Sequence, residues 1–309
     1  MWYKAAMLRQ RSYGGHSMVA PLCRVMVCAP ERAGWQEGEK KWQELGYLHA
    51  PDFVAAQAQH ADLRRELETG GAEVIAVDGG NLSLDAVYVH DPSLVTDYGA
   101  ICLNMGKESR RGEPGRHRDY YRQLGIPVLG EIRAPGTVEA GDVVWLDQKT
   151  LLVGRGYRTN AAGIEQLNGL LGAKGVEVVA APLPHGAGPG CCLHLMSLMS
   201  LLDEHTALVD LPWLAVETVQ LLCERGFRFV EIEAEERDTL ACNVLALGEG
   251  RLLAIAENAR TNQRLREAGF EVRTFAASEI GINGGGGPTC LTRPVLRESG
   301  FTTKDRKGN

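Results

Sequence analysis

Hydrophobic and polar positions follow one pattern that returns five times along this chain. Each copy has positions at helical spacing, such as Phe53, Ala56, His60, Leu63 and Leu67, and then a glycine followed by a short β-branched run. Glycine suits the end of a helix because that position often needs a positive φ, which carries no steric penalty without a Cβ. The glycines are Gly71, Gly125, Gly175, Gly226 and Gly269.

A second apolar stretch, often a hairpin, follows each of these short strands. Residues 143–146 and 151–153 flank the turn at 147–150, and residues 244–247 and 252–255 flank the turn at 248–251. The pattern predicts a strand–strand–helix–strand unit present five times. One such unit cannot bury its own apolar face, so we expect an α/β fold in which five units close around an axis as a pseudo-symmetric five-bladed propeller. A doubly wound parallel sheet is the alternative, but it would not need hairpins, and no GxGxxG lies at a strand-to-helix junction.

No linker, low-complexity tract or charge block divides the chain. We expect an N-terminal extension over residues 1–24, a single catalytic domain over 25–300 and a C-terminal tail over 301–309. Arg158-Thr159-Asn160 and Arg260-Thr261-Asn262 are each predicted to precede a helix, with the asparagine as N-cap. The Gly/Pro-rich segment 182–190 is predicted to be a loop of the site, and the sequence leaves open whether the loop around 35–51 closes over it.

Charge and composition exclude several classes of function. A net charge of −6 and a pI near 5.8 argue against a nucleic-acid surface and suit a small cationic substrate slightly better than an anionic one. No run approaches the ~20 apolar residues that cross a bilayer, and the first residues do not form a signal peptide, so we expect a cytoplasmic protein. Eight cysteines without a CxxC pair indicate buried, reduced thiols; we exempt Cys290.

Candidate chemistry is concentrated around Cys290. Four glycines, Gly284 to Gly287, precede it closely, and their amides could form a nest for an anion or a developing charge. A cysteine at the edge of such a run is partly accessible and near oriented N–H groups, which favours a reactive thiolate. A phosphate loop is excluded because no Gly-Lys-Ser/Thr follows.

A thiolate needs a proton-transfer partner, and we single out His194 among eight histidines because a strand could present it inward. Two acids, Glu139 and Asp142, surround Gly141 before another strand. Asp85 and Asp91 are predicted to share one face of an extended strand over 84–92. Acids placed together on an apolar strand suggest a cationic ligand.

Together these segments resemble the guanidino-group-modifying enzymes, which include arginine deiminases, amidinotransferases and dimethylarginine dimethylaminohydrolases. The resemblance runs from about Met26 to Arg297 and rests on the order of its segments. They are the 53–60 helix, 84–92, 109–111, 139–142, 156–160, 193–195 and 287–290.

The resemblance implies a five-bladed α/β propeller of the pentein type and a role for each site residue. Cys290 would be the nucleophile, His194 the general acid and base, and Glu139 would orient the histidine and the substrate. Asp91 would hold the guanidinium and Asp85 the α-amino group, while Arg110 and Arg158 would hold the α-carboxylate. The carboxylates compensate the substrate's charge, so we expect neither a metal nor a cofactor; a homodimer stays an option.

The residue two positions after His194 bears on the substrate. Arginine deiminases and amidinotransferases typically have an aspartate there, whereas this chain has Met196. Apolar room at this point favours N-methyl groups over bare N–H groups. We therefore predict hydrolysis of N-omega,N-omega-dimethylarginine to citrulline and dimethylamine through a covalent cysteine intermediate.

Other functions stay open. His90 replaces an acid that dimethylarginine hydrolases carry beside Asp91, and the stretch 288–294 looks as much like the deiminase part of the family. Free arginine, converted to citrulline or onward to ornithine, is therefore one alternative, and amidino transfer is another. A non-catalytic binding propeller is a third, which the joint presence of Cys290, His194, Glu139 and Asp91 disfavours.

Overall fold

The structure of the protein, a computed structural model, describes residues 11–36, 42–80 and 83–298. The strands are β1 (Leu22–Cys28), β2 (Glu73–Val77), β3 (Ser93–Thr96), β4 (Gly99–Cys102), β5 (Val128–Glu131), β6 (Val143–Asp147), β7 (Thr150–Arg155), β8 (Glu177–Pro182), β9 (Met199–Asp203), β10 (Thr206–Val209), β11 (Arg228–Glu231), β12 (Leu245–Gly248), β13 (Arg251–Ile255), β14 (Glu271–Phe275) and β15 (Arg293–Arg297). The helices are α1 (Trp42–Leu45), α2 (Phe53–Thr69), α3 (Glu113–Gln123), α4 (Ala161–Leu171), α5 (Val216–Glu224) and α6 (Ala259–Glu267).

These strands form five three-stranded sheets of one design. The sheets are β3–β4–β5, β6–β7–β8, β9–β10–β11, β12–β13–β14 and β15–β1–β2. In each sheet the first two strands are antiparallel, and the second runs parallel to the third across a helical crossover. The predicted mixed α/β repeat is therefore confirmed, and its fifth copy joins β15 near one end of the chain to β1 near the other.

The first strand of each sheet is more deeply buried than the third. Strands β3 and β12 are buried at every position, whereas β5 and β11 at the opposite edges contain no buried residue. First strands also approach one another between sheets, since β9 contacts β12 and β15 contacts β3. Residues that directly precede these strands are consequently carried into the middle of the molecule.

The five helix-ending glycines behave as the sequence predicts. Each has a positive φ: 98° at Gly71, 69° at Gly125, 80° at Gly175, 78° at Gly226 and 97° at Gly269. Helix α2 buries Ala56, His60, Leu63 and Leu67, as its spacing predicts.

The two Arg-Thr-Asn segments do not match each other. The side chain of Asn160 accepts from the Gly163 amide and caps α4, as predicted. Residues Arg260 to Asn262 instead lie inside α6, so their prediction as residues before a helix is wrong. The reason is a long-range cap: the carboxylate of Glu236 accepts from the amides of Arg260 and Thr261 at 2.9 and 2.8 Å.

The strand predicted over 84–92 is also wrong. Residues Leu84–Val87 form a single 3-10 turn, and the next strand begins only at Ser93. The hydroxyl of Ser83 accepts from the amide of Asp85 at 3.2 Å, a local bond that competes with a strand ladder. Asp85 and Asp91 therefore do not share a strand face.

The cysteines are less uniformly buried than predicted. All eight are free, and Cys28, Cys102 and Cys242 are buried, but Cys191, Cys192 and Cys223 are exposed. Cys290 is partly exposed, as expected for it. The structure is therefore compatible with reduced thiols, but the predicted burial holds for only some of the cysteines.

Both predicted terminal segments extend beyond the described residues. Within the 1–24 segment, β1 begins at Leu22, and the backbone of Gly14 bonds to Val295 and Arg297 of β15. Residues 301–309 lie outside the described residues, as does part of the 35–51 loop. None of the helices in the described ranges combines the length and the apolar content that crossing a bilayer requires.

The glycine after α4 offers a test of the repeat. An alanine at Gly175 would meet no atom within 4 Å, so its cost would come from φ alone. We expect Gly175→Ala to lower the free energy of unfolding by about 1–2 kcal/mol in urea titrations. Gly169→Ala, inside α4 and equally unobstructed, is the matched control and should raise it by about 0.5–1 kcal/mol. Equal effects of the two changes would contradict the left-handed requirement.

Candidate active site

Cys290 lies in the segment that leads into β15 and is held by Asn243. The Asn243 Nδ2 donates to Cys290 Sγ at 3.1 Å, and its Oδ1 accepts from the Thr289 amide at 2.9 Å. The second bond sets which end of the amide faces the sulfur. The backbone carbonyl of Cys290 accepts from the His90 amide at 3.1 Å, which ties this segment to the one containing Asp91.

Three of the four amides in the glycine run before Cys290 are not available for the predicted anion nest. The amides of Gly284, Gly285 and Gly286 all donate to the carbonyl of Gly281, at 3.2, 2.9 and 3.1 Å. These donors are satisfied within the turn, so they are not directed at a ligand. The run instead supplies a compact turn in front of the sulfur.

His194 is buried and lies one residue before a 3-10 turn at Leu195–Ser197, not on the predicted strand. Its Nε2 bonds to Glu139 Oε2 at 2.8 Å. Its Nδ1 lies 3.7 Å from Cys192 Sγ and 4.0 Å from Asp91 Oδ1. The imidazole is thus fixed by one carboxylate, and its other nitrogen faces a sulfur and a second carboxylate.

The acidic segment that precedes β6 also holds His194 in place. The Asp142 Oδ1 accepts from the amide of Leu195 at 2.9 Å, next to His194. A Cβ at Gly141 would lie 2.4 Å from His194 Nδ1, so this position requires glycine for the ring to approach. The three positions therefore have different roles. Glu139 orients the imidazole, Gly141 leaves room for the ring, and Asp142 anchors the segment that contains Leu195.

Asp91 is the point at which several groups meet. Its Oδ1 accepts from the amide of Gly141 at 3.0 Å, and its Oδ2 accepts from Arg110 Nη1 at 2.6 Å. Burial acts to raise the pKa of Asp91, but the charges of Arg110 and His194 outweigh it and hold that pKa well below its usual range. Asp91 is therefore ionised in the protein interior.

The two predicted arginines differ in how they are held. All three nitrogens of Arg110 are engaged, with Glu113, Asp91 and the carbonyl of Tyr88. Arg158 has one carboxylate neighbour, Glu139, at 3.7 Å from Nη1. Most donors of Arg110 are therefore committed to present partners, whereas Arg158 keeps more donors available.

Asp85 joins the same network through a lysine that the sequence did not single out. The Lys107 Nζ lies 2.6 Å from Asp85 Oδ2 and donates to the Leu45 carbonyl at 2.8 Å, and the Lys107 amide donates to Glu139 Oε1 at 2.8 Å. The structure therefore brings the predicted site residues together: Cys290, His194, Glu139, Asp85, Asp91, Arg110 and Arg158.

The resting protonation states follow from burial and charge. Burial raises the pKa of the Cys290 thiol to about 12, with a further contribution from Asp91, and His194 and Asn243 oppose the rise only in part. Burial acts to lower the pKa of His194, yet the nearby Cys192 thiol and the carboxylates of Asp142 and Asp91 raise it well above its usual value. At neutral pH the site therefore holds a thiol beside an imidazolium.

Three of these groups could in principle hold a metal ion. Ligand atoms of Asp91, Glu139 and His194 lie within 4.8 Å of one another. Each already has a partner in the cluster, and the Arg110 guanidinium sits against Asp91. A metal ion would therefore have to displace partners that these side chains already have.

The repeat explains how the site is assembled. One site residue precedes the first strand of every sheet: Asp91 before β3, Glu139 before β6, His194 before β9, Asn243 before β12 and Cys290 before β15. Sequence reasoning missed Asn243, although its position within the repeat could have indicated it. Sequence reasoning also missed Cys192, which was predicted to be one of the buried cysteines, although it lies two residues before His194.

Comparisons with known proteins show which family the sequence matches. The sequence model of the family described as arginine deiminase matches residues 80–217 and 210–297. The N(G),N(G)-dimethylarginine dimethylaminohydrolase of Pseudomonas aeruginosa is 30% identical over 240 residues, which is 77% of this chain and 89% of that protein.

Solved structures give the same result. The dimethylarginine dimethylaminohydrolase of Pseudomonas aeruginosa, complexed with citrulline, has a TM-score of 0.73 at 27% identity and covers 88% of this chain and 99% of its own. An amidinotransferase from Microseira wollei has a TM-score of 0.78 at 17% identity, covering 95% and 99%, which is a likeness of fold alone.

The Asn243 contact can be tested through the reactivity of the thiol. Asn243→Ala removes a donor to Cys290 Sγ, so the pKa of the thiol rises and less thiolate is present at a given pH. We expect alkylation by iodoacetamide at pH 8 to slow about tenfold, because hydrogen bonds to charged groups contribute about 1.5–3 kcal/mol. Asn168→Ala, on the exposed side of α4, is the control and should react like the parent. An unchanged rate in a folded Asn243→Ala protein would contradict the contact.

Proposed function

The chain belongs to the arginine deiminase family, and we propose that it hydrolyses N-omega,N-omega-dimethylarginine to citrulline and dimethylamine. It is a hydrolase of the carbon–nitrogen bonds of guanidino groups. The observation that supports the proposal is the buried cluster of His194, Glu139 and Asp91, with Cys290 tied to it through the bond from the His90 amide to the Cys290 carbonyl. The likeness to dimethylarginine dimethylaminohydrolases supports the choice of a methylated substrate.

The charge balance of the site fits a guanidinium. Asp91 and Glu139 are buried carboxylates with depressed pKa values, so they present negative charge where water is excluded. A guanidinium keeps its proton at every accessible pH because its pKa is above 12. Its charge must be held by such carboxylates before its carbon becomes open to attack.

Binding of this cation also activates the nucleophile. The empty site keeps Cys290 as a thiol because burial raises its pKa to about 12. A positive charge placed beside the sulfur favours its ionised form, so the substrate itself lowers that pKa. The thiol proton leaves to solvent, because His194 is already protonated and Cys290 is partly exposed, and the thiolate attacks the guanidinium carbon to form a tetrahedral adduct.

His194 handles the protons of both later steps. Its Nε2 is taken by Glu139, so Nδ1 is the nitrogen left for proton transfer. The imidazolium gives this proton to the departing dimethylamine as the carbon–nitrogen bond breaks, which leaves a thiouronium-type adduct on Cys290. The neutral imidazole then takes a proton from water, and the hydroxide attacks the same carbon. The carbon–sulfur bond breaks, the proton of the new hydroxyl passes to the departing sulfur, and citrulline is released with the thiol restored.

The remaining predicted residues hold the amino-acid part of the substrate. We assign the α-carboxylate to Arg158, whose donors are less committed, with Arg110 as the second candidate once it exchanges a partner. Asp85 is assigned to the α-amino group, for which it would leave Lys107. No metal or cofactor enters these steps.

The proposal also covers the overall architecture, the domain bounds and the location of the protein. We propose that the five sheets close into a propeller, which the β15–β1 pairing of the two chain ends supports. The single catalytic domain over 25–300, with an extension and a tail, stays a prediction, as does a homodimer. Eight free cysteines support a cytoplasmic location.

The nucleophile and the substrate are tested together by a panel read by ureido product. We expect dimethylarginine to be turned over at least tenfold faster than arginine, measured as kcat/KM, and we expect Cys290→Ala to lose at least about 10³-fold in kcat. Cys223→Ala, an exposed thiol on α5, is the matched control and should keep parent activity. Full turnover by Cys290→Ala would show that the nucleophile is misassigned.

The same panel distinguishes the rival activities. Faster citrulline formation from arginine would replace the proposal by arginine deimination, which the family match keeps as a candidate. Amidino transfer predicts a new guanidino compound when glycine is supplied as acceptor. Neither result would change the assigned nucleophile.

Met196 is the residue to change for substrate preference. Its side chain is buried near His194, and an aspartate there would bond to bare N–H groups but lie unpaired against methyl groups. We expect Met196→Asp to lower the kcat/KM ratio of dimethylarginine to arginine at least tenfold. Met196→Leu keeps the apolar surface and should keep the ratio; a fall of the same size in both variants would argue against this role.

A further inference from the structure

Each of the five sheets contributes its first strand to one cavity. Leu94, Trp145, Leu201, Leu245 and Pro294, from β3, β6, β9, β12 and β15, all line it. Its volume of about 30 Å³ gives room for about two water-sized species, since each needs roughly 10–15 Å³. Most of the lining is apolar, and no aspartate or glutamate is among the residues that line it.

Two buried arginines, Arg293 and Arg297, lie in this lining. They are 5% and 3% exposed. Arg293 Nη1 donates to the carbonyls of His90 and Ser93, while its buried Nε has no hydrogen-bond partner. Arg297 Nη1 donates to the carbonyl of Ala20 at 2.5 Å. Among the described residues, no carboxylate forms an ion pair with either guanidinium.

His90 does not supply the missing negative charge. Its Nδ1 lies 2.9 Å from the carbonyl of Thr292, so Nδ1 carries the proton, and its Nε2 faces Arg293 Nη2 at 3.5 Å. Burial and the charge of Arg293 lower the pKa of His90 to about 3, so the ring is neutral. A neutral histidine accepts from the arginine but carries no charge to balance it, and Asp91 acts on Arg293 without forming an ion pair.

Burying a guanidinium without a counter-charge is unfavourable, and the same burial lowers the pKa of Arg293 to about 10 and that of Arg297 to about 9. The buried Arg293 Nε is a fixed donor that has no acceptor in the protein. An anion small enough for the cavity would satisfy both requirements at once. Sulfate and phosphate, with five heavy atoms, exceed the free space.

We propose that this cavity binds one monovalent anion of halide size, chloride under ordinary conditions, against Arg293 and Arg297. Ser200 and Thr289 also line the cavity, but their hydroxyls donate to the carbonyls of Cys242 and Val244, so the two guanidinium groups are the donors assigned to the anion. The cavity adjoins the substrate cluster, because Met196 lines it and because His90 and Thr289 are chain neighbours of Asp91 and Cys290. The inference goes beyond the proposed function and does not rest on it, because its test reads stability and ion position.

The first experiment measures thermal unfolding of the full chain as a function of anion. Protein freed of chloride in sodium gluconate is titrated with sodium chloride or sodium bromide at constant ionic strength. We expect Tm to rise and saturate, by about 2–4 °C at a hundredfold excess over Kd, because a ligand that binds only the folded state stabilises it. A Tm that stays level in both halides, or that rises equally with sulfate, would overturn the proposal.

The second experiment locates the ion. Crystals grown in sodium bromide should show an anomalous peak within about 3.5 Å of Arg293 Nε, and a cavity holding only water would overturn the proposal. Arg293→Met should abolish the halide-dependent rise in Tm. Arg225→Met, which changes an arginine paired with Asp147 and Glu177 outside the cavity, is the matched control and should keep it. Because the parent protein alone gives the Tm series and the peak, a variant that fails to fold does not decide the outcome.

Discussion

The site depends on the pairing of buried charges around Asp91 and Glu139. Neither carboxylate could stay ionised in the interior alone, because burial penalises an isolated charge by several kcal/mol. Arg110 and His194 provide the opposite charges at 2.6 and 2.8 Å. Once this network is formed, the imidazole is oriented, Asp91 is anchored to the Gly141 amide, and negative charge lies where a guanidinium would bind.

The repeated unit explains how residues from distant segments converge at one site. Residues before the first strand of each sheet all reach the same region, so five segments far apart in sequence can each contribute one side chain. Local stability needs only apolar strands and a helix-ending glycine in each unit. The segments between the third strand of one unit and the first strand of the next can therefore carry chemistry.

Cys290 lies between opposing electrostatic influences. Burial and Asp91 act against its ionisation, whereas His194 and the amide of Asn243 favour it. The balance leaves the sulfur protonated in the empty site and makes its ionisation sensitive to a cation at the carboxylates. Selection for a cationic substrate and activation of the nucleophile thus have the same physical origin.

The sequence by itself determined the repeat, the helix faces and the helix-ending glycines. These depend on local physics: side-chain periodicity, and the left-handed conformation that Gly175 and its counterparts adopt. It also indicated seven candidate site residues, of which Arg110 and Arg158 rest on the resemblance to a family alone. It failed at 84–92, where a serine-capped turn competes with a strand, and at 260–262, where Glu236 caps α6 from another segment.

Only the tertiary structure decided which groups meet. The partnership of Asn243 with Cys290, of Lys107 with Asp85 and of Cys192 with His194 has no periodic signal, because each joins a side chain to another whose position is set by the packing of separate segments. The turn amides that bond to Gly281, in place of a ligand, are a further case. Hydrogen bonds and buried ion pairs act over a few ångströms, and the fold alone brings distant residues within that range.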